Sequence, residues 1–216
     1  ENARMMTGFD AVADAEGFIV VYPNGTGQRA DRLLTWNGGR CCGYAMEQNV
    51  DDVGFVKALL ADLGAVANVD ARRIYATGMS NGAIMAYRLA CELSDVIAAI
   101  GPVAATQNLD ACAPSRPVPV LHIHGDADKN APYAGGVGTE SLVGVSFESV
   151  EATIAFWVQQ NGCASTPQVT QNGSIRHTVY SGCREDTAVE LYTVVGGGHA
   201  WPGGQPGRRG GDTPTT

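Results

Sequence analysis

The chain has 216 residues, 44% of them hydrophobic and 17% charged, with a formal net charge of −8. That is the size and balance of one large globular domain with a core to bury. The acidic balance argues against nucleic acid or an anionic membrane surface as partner, and no apolar run approaches the roughly 20 residues that a membrane span requires.

Taken in chain order, Asn2 to Ala15 reads as a helix with Met5, Met6, Phe9, Val12 and Ala13 on one face, stopped at Gly17. Phe18-Ile19-Val20-Val21-Tyr22 is a continuous apolar run ended by Pro23, the pattern of a buried parallel-type strand. A long irregular segment follows, holding Trp36-Asn37-Gly38-Gly39 and Cys41-Cys42-Gly43-Tyr44. Loops of this length in a compact domain are usually functional or tied down. Asp51 and Asp52 are cap and first-turn residues for a helix with Val53, Val56, Leu60, Leu63 and Ala67 at helical spacing. Arg73 to Ala76 is a strand, and Ala83 to about Leu93 a helix. Further strands are expected over Val96 to Ala105 and Val118 to His124. An amphipathic helix follows over Phe147 to Gln160, then strands over Ile175 to Tyr180 and Val189 to Val195 at the sheet's last edge. A glycine-rich stretch from Gly196 to Gly204 and a polar tail close the chain. Strands alternating with helices predict an α/β fold, a mostly parallel sheet with helices on both faces. No repeat or linker divides residues 1–216, so one domain is expected.

Between the strand and helix near the middle lies Gly78-Met79-Ser80-Asn81-Gly82, a G-x-S-x-G. In that setting the serine sits on a sharp turn at a helix N-terminus, with its hydroxyl exposed and glycines two before and two after to admit the backbone. A serine needs a base to take its proton and an acid to fix the base's tautomer. In α/β-hydrolases the order along the chain is Ser, then acid, then His. His199, in the glycine-rich loop after the last strand, fits the base. His122 and His124 fall at period two within a strand and suit structural roles; His177 lies on an edge strand. Asp126 and Asp128 compete as acid. Asn81 N–H, next after the nucleophile, supplies one oxyanion donor.

The six cysteines are dispersed and even in number, which suggests three disulfides and an exported protein. No pair has C-x-x-C spacing and no His lies at a finger-like distance, so neither a metal nor any other cofactor is expected. Cys163 and Cys183 are expected to pair across a short turn-rich insert. For the remaining four, one arrangement joins Cys91 to Cys112 and leaves Cys41–Cys42 as a vicinal bridge. The other ties Cys41 and Cys42 to Cys91 and Cys112, pinning the Trp36 loop beside the elbow, and this second arrangement is the one expected. The chain opens at Glu1 without a basic segment or apolar core of a signal peptide, the look of a processed or trimmed chain.

These motifs resemble a known group. Trp36-Asn37-Gly38-Gly39 with Cys41-Cys42-Gly43, Asp51-Asp52-Val53, Gly78-Met79-Ser80-Asn81-Gly82, His124-Gly125-x-x-Asp128, and Gly196 to Gly204 with its Gly198-His199-Ala200-Trp201-Pro202 centre look like the bacterial feruloyl esterases and polyhydroxybutyrate-depolymerase-like esterases. The resemblance covers nearly the whole chain. It implies a secreted α/β-hydrolase acting on carboxylic esters, with Ser80, Asp128 and His199 as a triad. The Gly-x-x-Asp-x-x-x-Pro pattern of such folds assigns the acid to Asp128 and leaves Asp126 a turn residue. Such proteins begin with strands ahead of the first helix here, one ending in a His-Gly turn that gives the second oxyanion donor, and they continue into a final helix. Neither part has a counterpart in this chain, so an incomplete sequence is expected.

The reading that follows is a serine esterase for feruloyl or cinnamoyl esters of plant polysaccharide. A polyester depolymerase or acetyl (xylan) esterase is the alternative within hydrolases, and a catalytically silent binding relative the alternative outside them. Trp36 and Tyr44 in the long loop, Met79 beside the nucleophile and Trp201 two residues past His199 are the candidate substrate contacts. Flat rings stack on an aromatic acid. Trp201 could equally brace the His loop and Trp36 belong to the core; Trp157, on the apolar face of its helix, is read as core.

Overall fold

A computed structural model describes residues 2–30, 32–141 and 143–205. The first helical stretch is two helices, α1 (Asn2–Thr7) and α2 (Phe9–Glu16), separated where Gly8 turns left-handed at φ 64°. Gly17 caps α2 in the same conformation, donating its N–H to Ala13 O. The expected apolar face is not buried: Ala13 is covered, whereas Met5 and Val12 stand about half exposed. Phe18 to Tyr22 differs from the strand expected there. It forms no strand and has no ladder partners, and Phe18, Ile19 and Val21 are exposed. An apolar run becomes a strand only where a neighbouring strand takes its N–H and C=O groups, and among the described residues none does so here.

From α4 onward the sequence pattern and the fold run closely together. Helix α3 (Gly43–Glu47) is a single turn, and α4 (Asp52–Val66) starts where Asp51 accepts the Gly54 N–H at 2.8 Å. The main sheet has the order β1-β2-β3-β8-β7-β6, with β1 Tyr75–Met79, β2 Ala99–Val103, β3 Val120–Gly125, β6 Gln168–Asn172, β7 Ile175–Tyr180 and β8 Val189–Val194. Strands β1, β2, β3 and β8 are mutually parallel; β7 and β6 add an antiparallel flank. The last strand in sequence is therefore interior, and β6, a polar run with no apolar alternation, forms the edge. A short hairpin, β4 (Gly136–Val137) with β5 (Ser146–Phe147), lies between β3 and helix α6 (Val150–Asn161).

Helix α5 (Asn81–Glu92) packs on β1 and β2, and α6 on β8. The main core lies between them: Val56 from α4, Met85, Tyr87 and Leu89 from α5, Ile154 and Trp157 from α6, and Ile100, Val120 and Leu191 from the strands. Trp157 is fully buried, as its helix periodicity indicates. On β3 the period of two puts Val120, His122 and His124 on the core side while Leu121 faces out at 38% exposure.

The cysteines pair Cys163–Cys183, Cys91–Cys112 and Cys41–Cys42. The first is as expected. The other two overturn the cross-linked arrangement. Cys41 and Cys42 pack on Ala83 and Ile84 in the first turn of α5, whereas Cys91 lies in its last turn. At 1.5 Å per residue that separation is about 10 Å, beyond the roughly 4.4–6.8 Å Cα reach of a disulfide. Cys91 and Cys112 come within 5.0 Å between Cα atoms. A non-reducing peptide map should yield one peptide joining Cys91 to Cys112 and another joining Cys163 to Cys183. Replacing Cys163 and Cys183 together by Ala should lower stability by about 3 kcal/mol, the chain-entropy value for a loop of this size, and unchanged denaturation midpoints would contradict that pairing.

Candidate active site

The candidate catalytic residues Ser80, Asp128 and His199 follow the C-terminal ends of parallel strands β1, β3 and β8, where open α/β sheets place their sites. Ser80 comes straight off β1 and caps α5 with φ 57° and ψ −121°. A non-glycine residue at positive φ is strained. It is held there by its own N–H donating to Val103 O at 2.9 Å and by its carbonyl accepting from Ala83 and Ile84 in the helix. The turn is tight enough that a Cβ on Gly78 would stand 2.6 Å from the Gly82 carbonyl carbon. Gly82 differs from its expected part, since a Cβ there meets nothing within 4 Å. Asn81 N–H is in the first turn of α5, among the donors a helix start leaves unpaired.

Asp128 and His199 meet because two loops are zipped together. After β3, Asp126 N donates to Val194 O at 3.1 Å and Ala127 N to Gly197 O at 2.9 Å. The Asp126 carboxylate accepts Gly196 N–H at 2.6 Å, a bond across to the second loop rather than within its own turn. Gly125 is required by this closeness, since a side chain there would run into the Gly197 and Gly198 carbonyls. His199 Nδ1 then lies 2.8 Å from Asp128 Oδ2. The other carboxylate oxygen accepts Asn130 N–H at 2.8 Å and Ala131 N–H at 2.9 Å. Burial by itself would push the Asp128 pKa up. Hydrogen bonds from His124 and His199, the His199 charge and the Ala131 amide outweigh it, and the carboxyl is held well below its ordinary range.

His122 and His124 take the structural roles read for them. Both are buried, in a chain of contacts from Tyr87 to the Asp128 loop. His177 pairs with Glu190 at 2.8 Å and stacks on Tyr192, on the antiparallel flank.

The Trp36 loop is fastened to the elbow by hydrogen bonds rather than by a disulfide. Asn81 Oδ1 accepts Trp36 N–H at 2.6 Å and its Nδ2 donates to Trp36 O at 2.9 Å. One residue on, Asn37 N–H donates to Asp52 Oδ2 at 2.7 Å, and Arg88 Nη1 donates to Asn37 O at 2.6 Å. Asp52 is 2% exposed, and desolvation raises its pKa against that hydrogen bond and the Arg88 charge. Sequence reading missed this fastening. The available signal was spacing: Asp52 lies four residues before Val56, on the buried stripe of α4, so its carboxylate could not be a solvated cap. The Asn81 clamp had no such signal.

The four candidate contacts lie around this frame. The Trp36 ring stacks on Phe55 of α4 at 6.1 Å and packs against the main core. Trp201 stands edge-on to Phe9 at 5.5 Å. Tyr44 on α3 and Met79 at the end of β1 are half-buried.

Residues 3–145 match the family described as Esterase PHB depolymerase, and the chain belongs to that family. Feruloyl esterase B of Piromyces equi is 33% identical over 89% of this chain, which spans 35% of that protein. Poly(3-hydroxyalkanoate) depolymerase C of Paucimonas lemoignei is 26% identical over 91% of this chain and 51% of its own length. The chain thus spans about a third of the first relative's length and about half of the second's. The acetyl xylan esterase from Aspergillus awamori superposes with a TM-score of 0.63 at 14% identity, over 90% of this chain and 77% of that one, which shows the shared α/β-hydrolase fold.

The depressed Asp128 pKa has a consequence for stability. A carboxyl held below its unfolded value of about 3.9 stabilises the fold fully above that pH and progressively less below it. The stability gap between the unsubstituted protein and Asp128→Asn should therefore be largest near neutrality and narrow as pH falls below about 4. Chemical denaturation across that range checks it, and a gap independent of pH would contradict the ionised, hydrogen-bonded carboxylate.

Proposed function

We propose that the protein is a secreted serine carboxylesterase that hydrolyses feruloyl or cinnamoyl esters of plant polysaccharide through an acyl-enzyme. The observation that carries this reading is the buried Asp128 bonded to His199 Nδ1 at 2.8 Å, on the same strand-end edge as the strained Ser80 elbow. Ser80 Oγ attacks the ester carbonyl, and His199 Nε2, the ring nitrogen that does not face Asp128, takes the hydroxyl proton. Asp128 fixes the tautomer and stabilises the imidazolium. Asn81 N–H and the start of α5 meet the charge that develops on the carbonyl oxygen. His199 then protonates the leaving alcohol, and water hydrolyses the acyl group from Ser80 in the reverse sequence.

The named relatives support an ester substrate, and the feruloyl esterase among them supports an aromatic acyl group. Trp36, Tyr44, Met79 and Trp201 are proposed to line the acyl and leaving-group sides of the cleft. Three disulfides support an oxidising, extracytoplasmic location. Among the described residues no helix is long and apolar enough to cross a membrane. The proposed partners are small or polysaccharide-linked esters, with neither nucleic acid nor membrane. The second reading, a polyester depolymerase, is favoured by the family description itself and by the depolymerase relative.

Ser80→Ala and His199→Ala should each lower kcat by about three orders of magnitude or more, because the three residues act as a unit. Asp128→Asn should lose much of the rate and Asp126→Asn little. A severe loss at Asp126 with Asp128 spared would overturn the acid assignment. A serine-directed fluorophosphonate should add its mass at Ser80; no adduct favours the silent binding relative. Methyl ferulate or p-coumarate should show a higher kcat/KM than an ethyl ester of 3-hydroxybutyrate, and the reverse preference would select the depolymerase. Trp36→Ala should weaken aromatic esters more than acetates, whereas a uniform loss would assign its ring to packing on Phe55.

A further inference from the structure

We infer that His124 is a positioning residue for Asp128, the donor end of a buried, proton-ordered relay running from Tyr87 through His122 to the carboxylate. The inference rests on the triad reading above and adds residues to it. His122 is 0% exposed, His124 1% and Asp128 5%, so every ring nitrogen must find its partner inside the protein. His124 Nε2 lies 2.8 Å from Ala131 O and 3.5 Å from Asp128 Oδ2. Both of those oxygens only accept, so Nε2 carries the hydrogen. In a neutral ring Nδ1 is then an acceptor, and His122 Nε2, at 3.0 Å, must donate to it. The same logic leaves His122 Nδ1 as acceptor for the Tyr87 hydroxyl at 2.7 Å. All three donors point toward the carboxylate. Burial, reinforced by His124, keeps His122 neutral.

The surroundings fix the relay in place. Tyr87 stacks on Trp157 at 6.0 Å, the two imidazole rings stack at 5.3 Å, and Tyr133 stands edge-on to His124 at 5.8 Å with its hydroxyl on Thr193. The titratable groups around His124 are thus Tyr87, His122, Tyr133, Asp128 and, across the carboxylate, His199. The Ala131 carbonyl that accepts from His124 belongs to the residue whose N–H donates to Asp128 Oδ1 at 2.9 Å. The relay therefore reaches the carboxylate on its Oδ1 side through the Ala131 peptide, while the His124 Nε2–H flanks Oδ2 at 3.5 Å.

Two measurements test this. In the unsubstituted protein, long-range ¹H–¹⁵N spectra at neutral pH should show both His122 and His124 with the hydrogen on Nε2 and none on Nδ1, and His122 should not titrate between about pH 5 and 8. An Nδ1–H or imidazolium His124 would overturn the relay. In kinetics with p-nitrophenyl acetate, His124→Leu should lower kcat by about tenfold with little change in KM. Without the donor, Asp128 is more basic and holds the His199 proton more tightly, so the acid limb of kcat/KM should move to higher pH. His124→Gln, which retains a donor, should recover most of both effects. An unmoved acid limb, or Leu and Gln variants alike, would reduce His124 to packing. If His124→Leu fails to fold, the spectra decide. Absence of esterase activity in the unsubstituted protein would count against the triad reading, while the tautomers would still decide the relay.

Discussion

Everything at the strand ends depends on keeping one carboxylate ionised inside the protein. Asp128 is 5% exposed, and removing it from water favours the neutral acid. The protein answers with donors on both oxygens: two backbone amides on Oδ1 and His199 on Oδ2, with the His124 Nε2–H alongside at 3.5 Å. Those donors come from one turn, one strand and the loop of another strand, so the carboxylate sets how the β3 and β8 loops must close. The zipper of backbone bonds between Asp126, Ala127, Val194 and Gly197, and the bare Cα of Gly125, are what that closure requires.

The second constraint acts on the elbow. Ser80 adopts a left-handed φ, and such conformations persist only when the surroundings over-determine them. The bond to Val103 ties it to the neighbouring strand, and the helix cap ties it to α5. The Asn81 amide then grips both backbone groups of Trp36, so the same helix start that positions the serine also fixes the loop beside it. Asp52 and Arg88 extend that grip to Asn37 from α4 and from the middle of α5. Loop, elbow and helix are joined into one hydrogen-bonded unit, with the Cys41–Cys42 pair packed against Ala83 and Ile84.

Much of this was legible in the chain. The β1–turn–α5 unit is written locally, in a β-rich run, a glycine pair around Ser80 and a helix-forming run, so pattern alone places it. Strands β7 and β8 fall where their apolar content puts them. What was not legible is non-local. Phe18 to Tyr22 carries the composition of a strand, but pairing is decided by the neighbour. β6 is the converse: a polar run, all exposed, made a strand by β7. The cysteine pairing depended on where along α5 the Cys41–Cys42 loop lands, which no spacing reveals. The family resemblance separated Asp128 from Asp126; the geometry gives a reason for the difference, one carboxylate facing His199 and the other Gly196.

The most direct test of the central claim is to trap the covalent intermediate. Rapid acid quench during turnover of a ferulate ester, followed by peptide mass analysis, should find the feruloyl group on the peptide that carries Ser80, and on none in Ser80→Ala. Turnover of the ester with no acyl-peptide at Ser80, or with the acyl group on another residue, would contradict the account.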